Sequence, residues 1–200
     1  MFGIIGGSGT KLELQDEKEV EIYTPFGATS DKLLVGKLAG KDVVFLFRHG
    51  KDHTIPPHLV NYRANIWALK SLGVDAIISL CAVGSLKEEL APEHFIFPDQ
   101  FIDRTNSREQ SFYTGPKVRH VSMGEPICAD LRTKLAKLAR DLGIKTHERG
   151  TYVCVNGPRF SSKAESELFR SWNCDIVGMT MIPECVLARE AEICYAAIAM

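Results

Sequence analysis

The apolar run Val43-Val44-Phe45-Leu46-Phe47 empties directly into Arg48-His49-Gly50, a cation, a titratable ring and a glycine in succession. A buried strand that ends this way carries its charged groups to the mouth of an α/β sheet, where an anion is a natural occupant. Arg48 would grip an oxyanion or phosphate with paired N–H groups. His49 would serve as a hydrogen-bond donor or as a covalent nucleophile. The plainer alternative is a strand end whose two polar side chains simply meet water.

Other stretches offer donors to the same place. Gly6-Gly7-Ser8-Gly9 follows the short apolar run Phe2–Ile5, and such a turn lets backbone N–H groups and the Ser8 hydroxyl approach an anion. It is neither a dinucleotide fingerprint, because GIIGGSG lacks the G-x-G-x-x-G spacing, nor a P-loop, because the lysine is missing. Ala82-Val83-Gly84-Ser85 forms a second small-residue turn after the run Asp75–Cys81. Ser161 precedes the capping-box spacing Ser162…Glu165, and Thr180 precedes Pro183 in a first helical turn; unpaired helix N–H groups at both starts favour an anion. Either residue serves equally as part of a plain cap. His53 and His58 flank the rigid Pro56-Pro57 loop near the same mouth, with no chemistry assigned to them.

The elements that must position these groups follow from periodicity. Residues 11–42 carry short strand-like runs, Val20 to Tyr23 and Leu33 to Leu38, broken by Pro25-Phe26-Gly27 and Gly40-Lys41-Asp42, which predicts a hairpin or meander. Leu59, Tyr62, Ile66 and Leu69 recur at helical spacing before Gly73. Strand, helix, strand then predicts a βαβ unit with a parallel pair, so Ala82 to Ser85 share an edge with Arg48 and His49. His94–Pro98 reads as a strand and Asp99–Gly124 as a long polar loop of the kind that forms lids or interfaces. Leu131, Leu135, Leu138 and Leu142 predict one core-facing helical stripe. Gly150–Val155, Cys174–Gly178 and Ile193–Met200 predict further strands, with helices from about Lys163 to Trp172 and after Thr180. The class is α/β.

Composition narrows the function. With 200 residues, 45% hydrophobic and 24% charged, the chain suits one soluble globular domain. A net charge of −1 excludes a broad nucleic-acid or anionic-membrane footprint, so any anion site is local and its ligand small. The first residues lack a basic leader, and no apolar run is long enough to span a membrane, which makes a cytoplasmic protein the expectation. The six cysteines contain no Cys-x-x-Cys pair, and most read as buried small hydrophobes in a reducing compartment. The chain stops on an apolar strand that belongs inside a sheet, so a truncated product is expected.

A set of motifs then falls into one order: GIIGGSG, Thr24-Pro25-Phe26-Gly27, Arg48-His49-Gly50, the run Asn61–Leu69, the run Asp99–Thr105, Gly157-Pro158-Arg159-Phe160 and Met179-Thr180-x-x-Pro183-Glu184. Together they resemble the methylthioadenosine phosphorylase family, within the trimeric purine nucleoside phosphorylase superfamily. The resemblance implies a single-domain nucleoside phosphorylase-like fold over residues 1–200: a central mixed β-sheet of the nine-stranded type, flanked by helices. It implies a homotrimer and phosphorolysis of a methylthio purine nucleoside, with inorganic phosphate as co-substrate and no cofactor or metal. By position, phosphate would be held by Ser8, Arg48, His49, Cys81, the Ala82 backbone, Ser161 and Thr180. Met179, Phe160, Val83 and Gly84 would line the nucleoside site, and a neighbouring subunit would lend His120. Cys81 stands where the family commonly has threonine, and a thiol is the weaker donor. The purine-reading aspartates would fall just beyond Met200, outside these residues. Where the missing position would separate 6-amino from 6-oxo purines, a purine nucleoside phosphorylase on inosine, guanosine or methylthioinosine stays open, as do a hydrolytic nucleosidase and an inactive truncated subunit. Arg-His-Gly also marks histidine phosphatases, but there it ends the first strand, whereas about forty residues precede it here.

Overall fold

In a computed structural model, which describes residues 1–7, 9–10 and 12–200, the apolar runs become strands and the longer periodic stretches become helices. In chain order the strands are β1 (Phe2–Gly6), β2 (Gln15–Val20), β3 (Leu33–Leu38), β4 (Lys41–Phe47), β5 (Ala76–Cys81), β6 (Gly84–Ser85), β7 (Phe95–Ile96), β8 (Gln100–Arg104), β9 (Thr146–His147), β10 (Thr151–Val155), β11 (Ile176–Gly178) and β12 (Cys194–Ala199). The helices are α1 (Tyr62–Ser71), α2 (Ala129–Asp141), α3 (Lys163–Ser171) and α4 (Met181–Glu190), with a single 3-10 turn at Pro57–Leu59. None of the helices among the described residues is long and apolar enough to cross a membrane.

The strands divide between an eight-stranded mixed sheet, ordered β2-β3-β4-β1-β5-β12-β7-β9, and a four-stranded sheet, ordered β6-β11-β10-β8, in place of one nine-stranded core. Neighbours β4, β1, β5 and β12 run parallel. Their carboxyl ends therefore reach one edge, with Gly6 beside Phe47 and Ala199 beside Cys81. In the smaller sheet β8, β10 and β11 are parallel as well. The predicted βαβ unit exists with a difference: β4 and β5 share a direction, but β1 lies between them and bonds to both. A first strand with buried Gly3 and Ile5 fits that slot, and a Cβ on Gly3 would come within 2.9 Å of Val74.

The core lies between the larger sheet and the pair α1 and α4, where Ile66 and Leu69 meet Leu187, Ile77 and Tyr195. Full burial of each such side chain contributes about 1.5–3 kcal/mol. A smaller cluster joins α3 to β10 through Phe169 and Val153. Asn61 caps α1 by accepting from the Ala64 N–H at 3.1 Å, and its amide donates to the carbonyls of Phe26 and Ala28, anchoring the Thr24–Gly27 turn.

Several local expectations are corrected. The meander β2-β3-β4 is antiparallel as anticipated, but its first strand is the charged Gln15–Val20, not Val20–Tyr23. Leu33–Val35 supplies the buried side of that ribbon, so polar residues suffice opposite it. The segment 99–124 is not all loop, since Gln100–Arg104 pairs with β10 in full register. On α2 only the first half of the leucine stripe faces the core: Leu131 and Leu135 pack against it, but Leu138 is 58% and Leu142 77% exposed, while Arg132, Ala136 and Ala139 are buried. Small alanines let the helix approach β12 closely, and Leu138 and Leu142 turn outward. Cys128 and Cys194 form a disulfide across 66 residues; Cys81, Cys154, Cys174 and Cys185 are free and buried, as expected of small hydrophobes.

Candidate functional site

At the carboxyl edge of β4, the Arg48 N–H donates to the Gly6 carbonyl at 2.9 Å, locking the strand end to β1. The side chain turns inward and is 2% exposed. Its Nε donates to Glu184 Oε1 at 2.7 Å and its Nη2 to Glu184 Oε2 at 3.1 Å, with further bonds to Ser79 Oγ at 2.6 Å and the Leu80 carbonyl at 3.0 Å. Four of its five N–H groups are thus engaged by the protein. The paired grip expected for an anion is spent on a carboxylate, and one Nη1 hydrogen is left over. Burial works against the Arg48 charge, but the Glu184 carboxylate beside it lifts the pKa well above the ordinary value. Glu184 is saturated in turn, because the hydroxyls of Ser79 and Tyr195 also donate to Oε2 at 2.6 and 2.8 Å.

Glu184 is the site residue that sequence reasoning missed. It sits in an apolar helical stretch, Met181-Ile182-Pro183-Glu184-Cys185-Val186-Leu187, where a charge is out of place unless paired. That mismatch was the available signal. Ile182 breaks the helical conformation inside α4, with φ −107° and ψ 129°. Regular helix therefore starts at Pro183, and Thr180 does not cap it. The Thr180 hydroxyl instead donates to Cys81 Sγ at 3.6 Å, and its N–H reaches the Tyr152 hydroxyl at 3.3 Å.

His49 Nδ1 donates to the Ile55 carbonyl at 2.8 Å, and the ring stacks on His53 with centroids 4.8 Å apart. In the neutral ring this leaves Nε2 with a lone pair. Burial, more than the nearby Arg48 and His53 charges, holds the His49 pKa below its ordinary value, so the neutral form is favoured. The sharp turn that follows uses Gly50 at φ +73°.

These groups line one cleft of about 1080 Å³. Its polar end holds Arg48, His49, His53, Cys81, Ala82 and Thr180. Its apolar walls are Val83, Val177, Met179, Phe160 and Met200, with Gly84 and Ser161 at the borders. Phe160 is 86% exposed, an aromatic ring standing at the rim. Gly178 has no room for a side chain, since a Cβ would fall 2.0 Å from the Tyr152 hydroxyl.

One expectation changes. The start of α3 offers fewer bare N–H groups than expected, because a capping box engages those of Ser162 and Glu165, and Arg159 clasps Glu165 at 2.7 and 2.8 Å. Arg159, and then the Ser162 N–H, hold the Glu165 carboxyl down to about 2. Ser161 still borders the cleft, with its hydroxyl paired to Ser166 at 2.9 Å. His120 is exposed and outside the cleft of its own chain. Ser8 lies outside the described residues.

The model of the phosphorylase superfamily matches residues 1–200. An S-methyl-5'-thioadenosine phosphorylase from Thermofilum pendens is 55% identical over 201 residues, covering 100% of this chain and 77% of the relative. One of the same name from Saccharolobus solfataricus is 54% identical, covering 100% and 75%. Among solved structures, methylthioadenosine phosphorylase from Schistosoma mansoni in complex with tubercidin superimposes with a TM-score of 0.95 at 42% identity, over 100% of this chain and 78% of that one.

Proposed function

Because this chain belongs to the phosphorylase superfamily, we propose that it catalyses reversible phosphorolysis of 5'-methylthioadenosine to adenine and 5-methylthioribose 1-phosphate. The observation that carries the reading is the polarity of the cleft, with oxyanion donors at one end and apolar walls suited to a base and a thioether along the rest.

In this reading inorganic phosphate sits at the polar end as co-substrate, and no cofactor takes part. The remaining Nη1 hydrogen of Arg48, the Ala82 N–H and the Thr180 hydroxyl, rotated away from Cys81 Sγ, donate to its oxygens, with Ser8 and Ser161 beside them. His49, held neutral with its proton on Nδ1, accepts the P–OH hydrogen of a hydrogenphosphate at Nε2. The Glu184 carboxylate cancels the Arg48 charge, so oriented hydrogen bonds in a poorly solvated pocket do most of the holding. Cleaving the glycosidic bond builds positive charge on the sugar, which the phosphate both stabilises and attacks. Met179 lies against the ribose, Phe160 covers the base, and Val83 and Gly84 complete the wall. The reading takes residues 1–200 as part of one nucleoside phosphorylase domain, cytoplasmic and trimeric, in which a neighbour's His120 closes the methylthio end.

The test is to incubate the chain with methylthioadenosine, with and without inorganic phosphate, and to measure adenine. Phosphate-dependent release is expected. Release at the same rate without phosphate would indicate a hydrolase, and release from inosine but not methylthioadenosine a 6-oxopurine enzyme; either result overturns the proposal.

A further inference from the structure

Arg108 stands on the segment between β8 and α2 and does not line the cleft, yet its guanidinium reaches the backbone of two cleft walls. Nη1 donates to the Met179 carbonyl at 2.8 Å and to the Ile182 carbonyl, while Nη2 donates to the Asn156 carbonyl at 2.8 Å. Nη1 also meets the Tyr62 hydroxyl at 3.3 Å, and the guanidinium carbon lies 5.3 Å from the centre of the Tyr62 ring. None of the ion pairs among the described residues includes Arg108. Its charge is met by three carbonyl oxygens together with the Tyr62 hydroxyl and ring.

Those carbonyls are well chosen. Met179 and Ile182 bracket Thr180 and the helical break, so fixing both sets the direction in which the Met179 and Thr180 side chains leave the backbone. Asn156 precedes the Gly157-Pro158 turn that carries Phe160, and its side chain pairs with Asn106 at 3.0 Å, two residues before Arg108. A guanidinium is planar and presents its donors in a fixed fork. One side chain thereby sets the spacing between the Phe160 wall and the Met179 wall.

We propose that Arg108 is a positioning residue for the nucleoside half of the cleft, clamping the walls at Asn156 and Met179 at the separation a purine nucleoside needs. This inference rests on the functional reading above. It predicts an effect weighted towards the nucleoside: Thr180 shares the clamped segment, but Arg48 and His49 hang from β4 and share no hydrogen bond with Arg108.

The experiment compares the chain with Arg108→Met, Arg108→Lys and, as a control, Arg63→Met. Arg63 is a nearby cation that lies over Phe26 and pairs with Glu109, touching neither wall segment. Adenine affinity is measured by calorimetry, and KM is measured separately for methylthioadenosine and phosphate. Losing several charge-assisted bonds from Arg108→Met should weaken adenine binding and raise nucleoside KM by about tenfold, with phosphate KM moving less. Arg108→Lys keeps the charge but cannot span both walls, so it should remain impaired by about threefold; it carries the test if the methionine variant does not fold. Arg63→Met should leave both nucleoside readouts unchanged. If Arg108→Met binds adenine as the unmodified chain does, or if Arg63→Met weakens it equally, the positioning role is overturned. If the unmodified chain binds no adenine, the functional reading itself fails.

Discussion

Replacing Arg48 by Met and Glu184 by Gln, singly and together, tests whether these side chains neutralise each other. Both are 2% exposed, and Glu184 accepts two bonds from Arg48 and one each from Ser79 and Tyr195. Removing one partner of a buried pair leaves an uncompensated charge and costs about 3–5 kcal/mol. That is a large share of a total stability of about 5–15 kcal/mol, so each single variant should be marginal but measurable at 25 °C. In the double variant no buried charge remains, and the amide oxygen that Glu184→Gln puts in place of a carboxylate oxygen can still accept from the Ser79 and Tyr195 hydroxyls. The double variant should cost no more than either single one, which corresponds to an interaction energy of about 3 kcal/mol. Urea unfolding without phosphate, with m-values compared among all four proteins, supplies the numbers. Losses that add to within about 0.5 kcal/mol would refute the reasoning, and Arg48 would then be a cation free to bind its ligand by charge.

Other consequences are as direct. Gly178→Ala drives a methyl against the Tyr152 hydroxyl and disturbs its bond with the Thr180 N–H, so thermal unfolding should report a loss of about 1–3 kcal/mol. Reducing the Cys128–Cys194 disulfide frees a 66-residue loop, and chain entropy predicts a loss of about 4 kcal/mol in urea unfolding; Cys128→Ser should show no further loss on adding reductant. Burial lowers the pKa of both His49 and His147 from 6.5, with the neighbouring His94 adding to the effect on His147. Below pH 6.5 the unfolded chain therefore binds more protons, and stability falls as pH drops from 6.5 towards the folded values. A melting series across that window should slope upwards with pH, and His49→Gln should flatten it.

The parts of the site carried by local pattern were legible before any coordinates. An apolar run ending in Arg-His-Gly has few places to go in an α/β fold, and small-residue turns after parallel strands share its edge. The convergence of Arg48, His49 and Ala82 followed from that, whereas Thr180 entered as a helix start and Cys81 only through the family resemblance. What period cannot encode is partner choice over long separations. Glu184 lies 136 residues from Arg48, and nothing local distinguishes a cation paired with a ligand from one paired with a carboxylate. The same holds for Cys128 and Cys194, brought together by the docking of α2 on β12. On α2 the error has a different origin, because leucine periodicity finds an apolar stripe but not the clearance to the sheet. The capping box at Ser162 and Glu165 was visible, but Arg159 closing over it requires the turn before α3 to bend back.

The parallel run β4-β1-β5-β12 also governs the order in which the polypeptide can be completed. β1 leaves the ribosome first but pairs only with β4 and β5, and the far side of β5 then waits for β12. Between Cys81 and Cys194 lie 112 residues, roughly 6–22 s of synthesis at about 5–20 residues per second. Through that interval Ala76-Ile77-Ile78-Ser79-Leu80-Cys81 presents an open, apolar, uncharged strand edge, the type of surface that recruits other chains. The nascent protein is therefore most exposed to aggregation while residues 82–193 are being made, and its yield should depend on chaperone capacity more steeply than its final stability would imply.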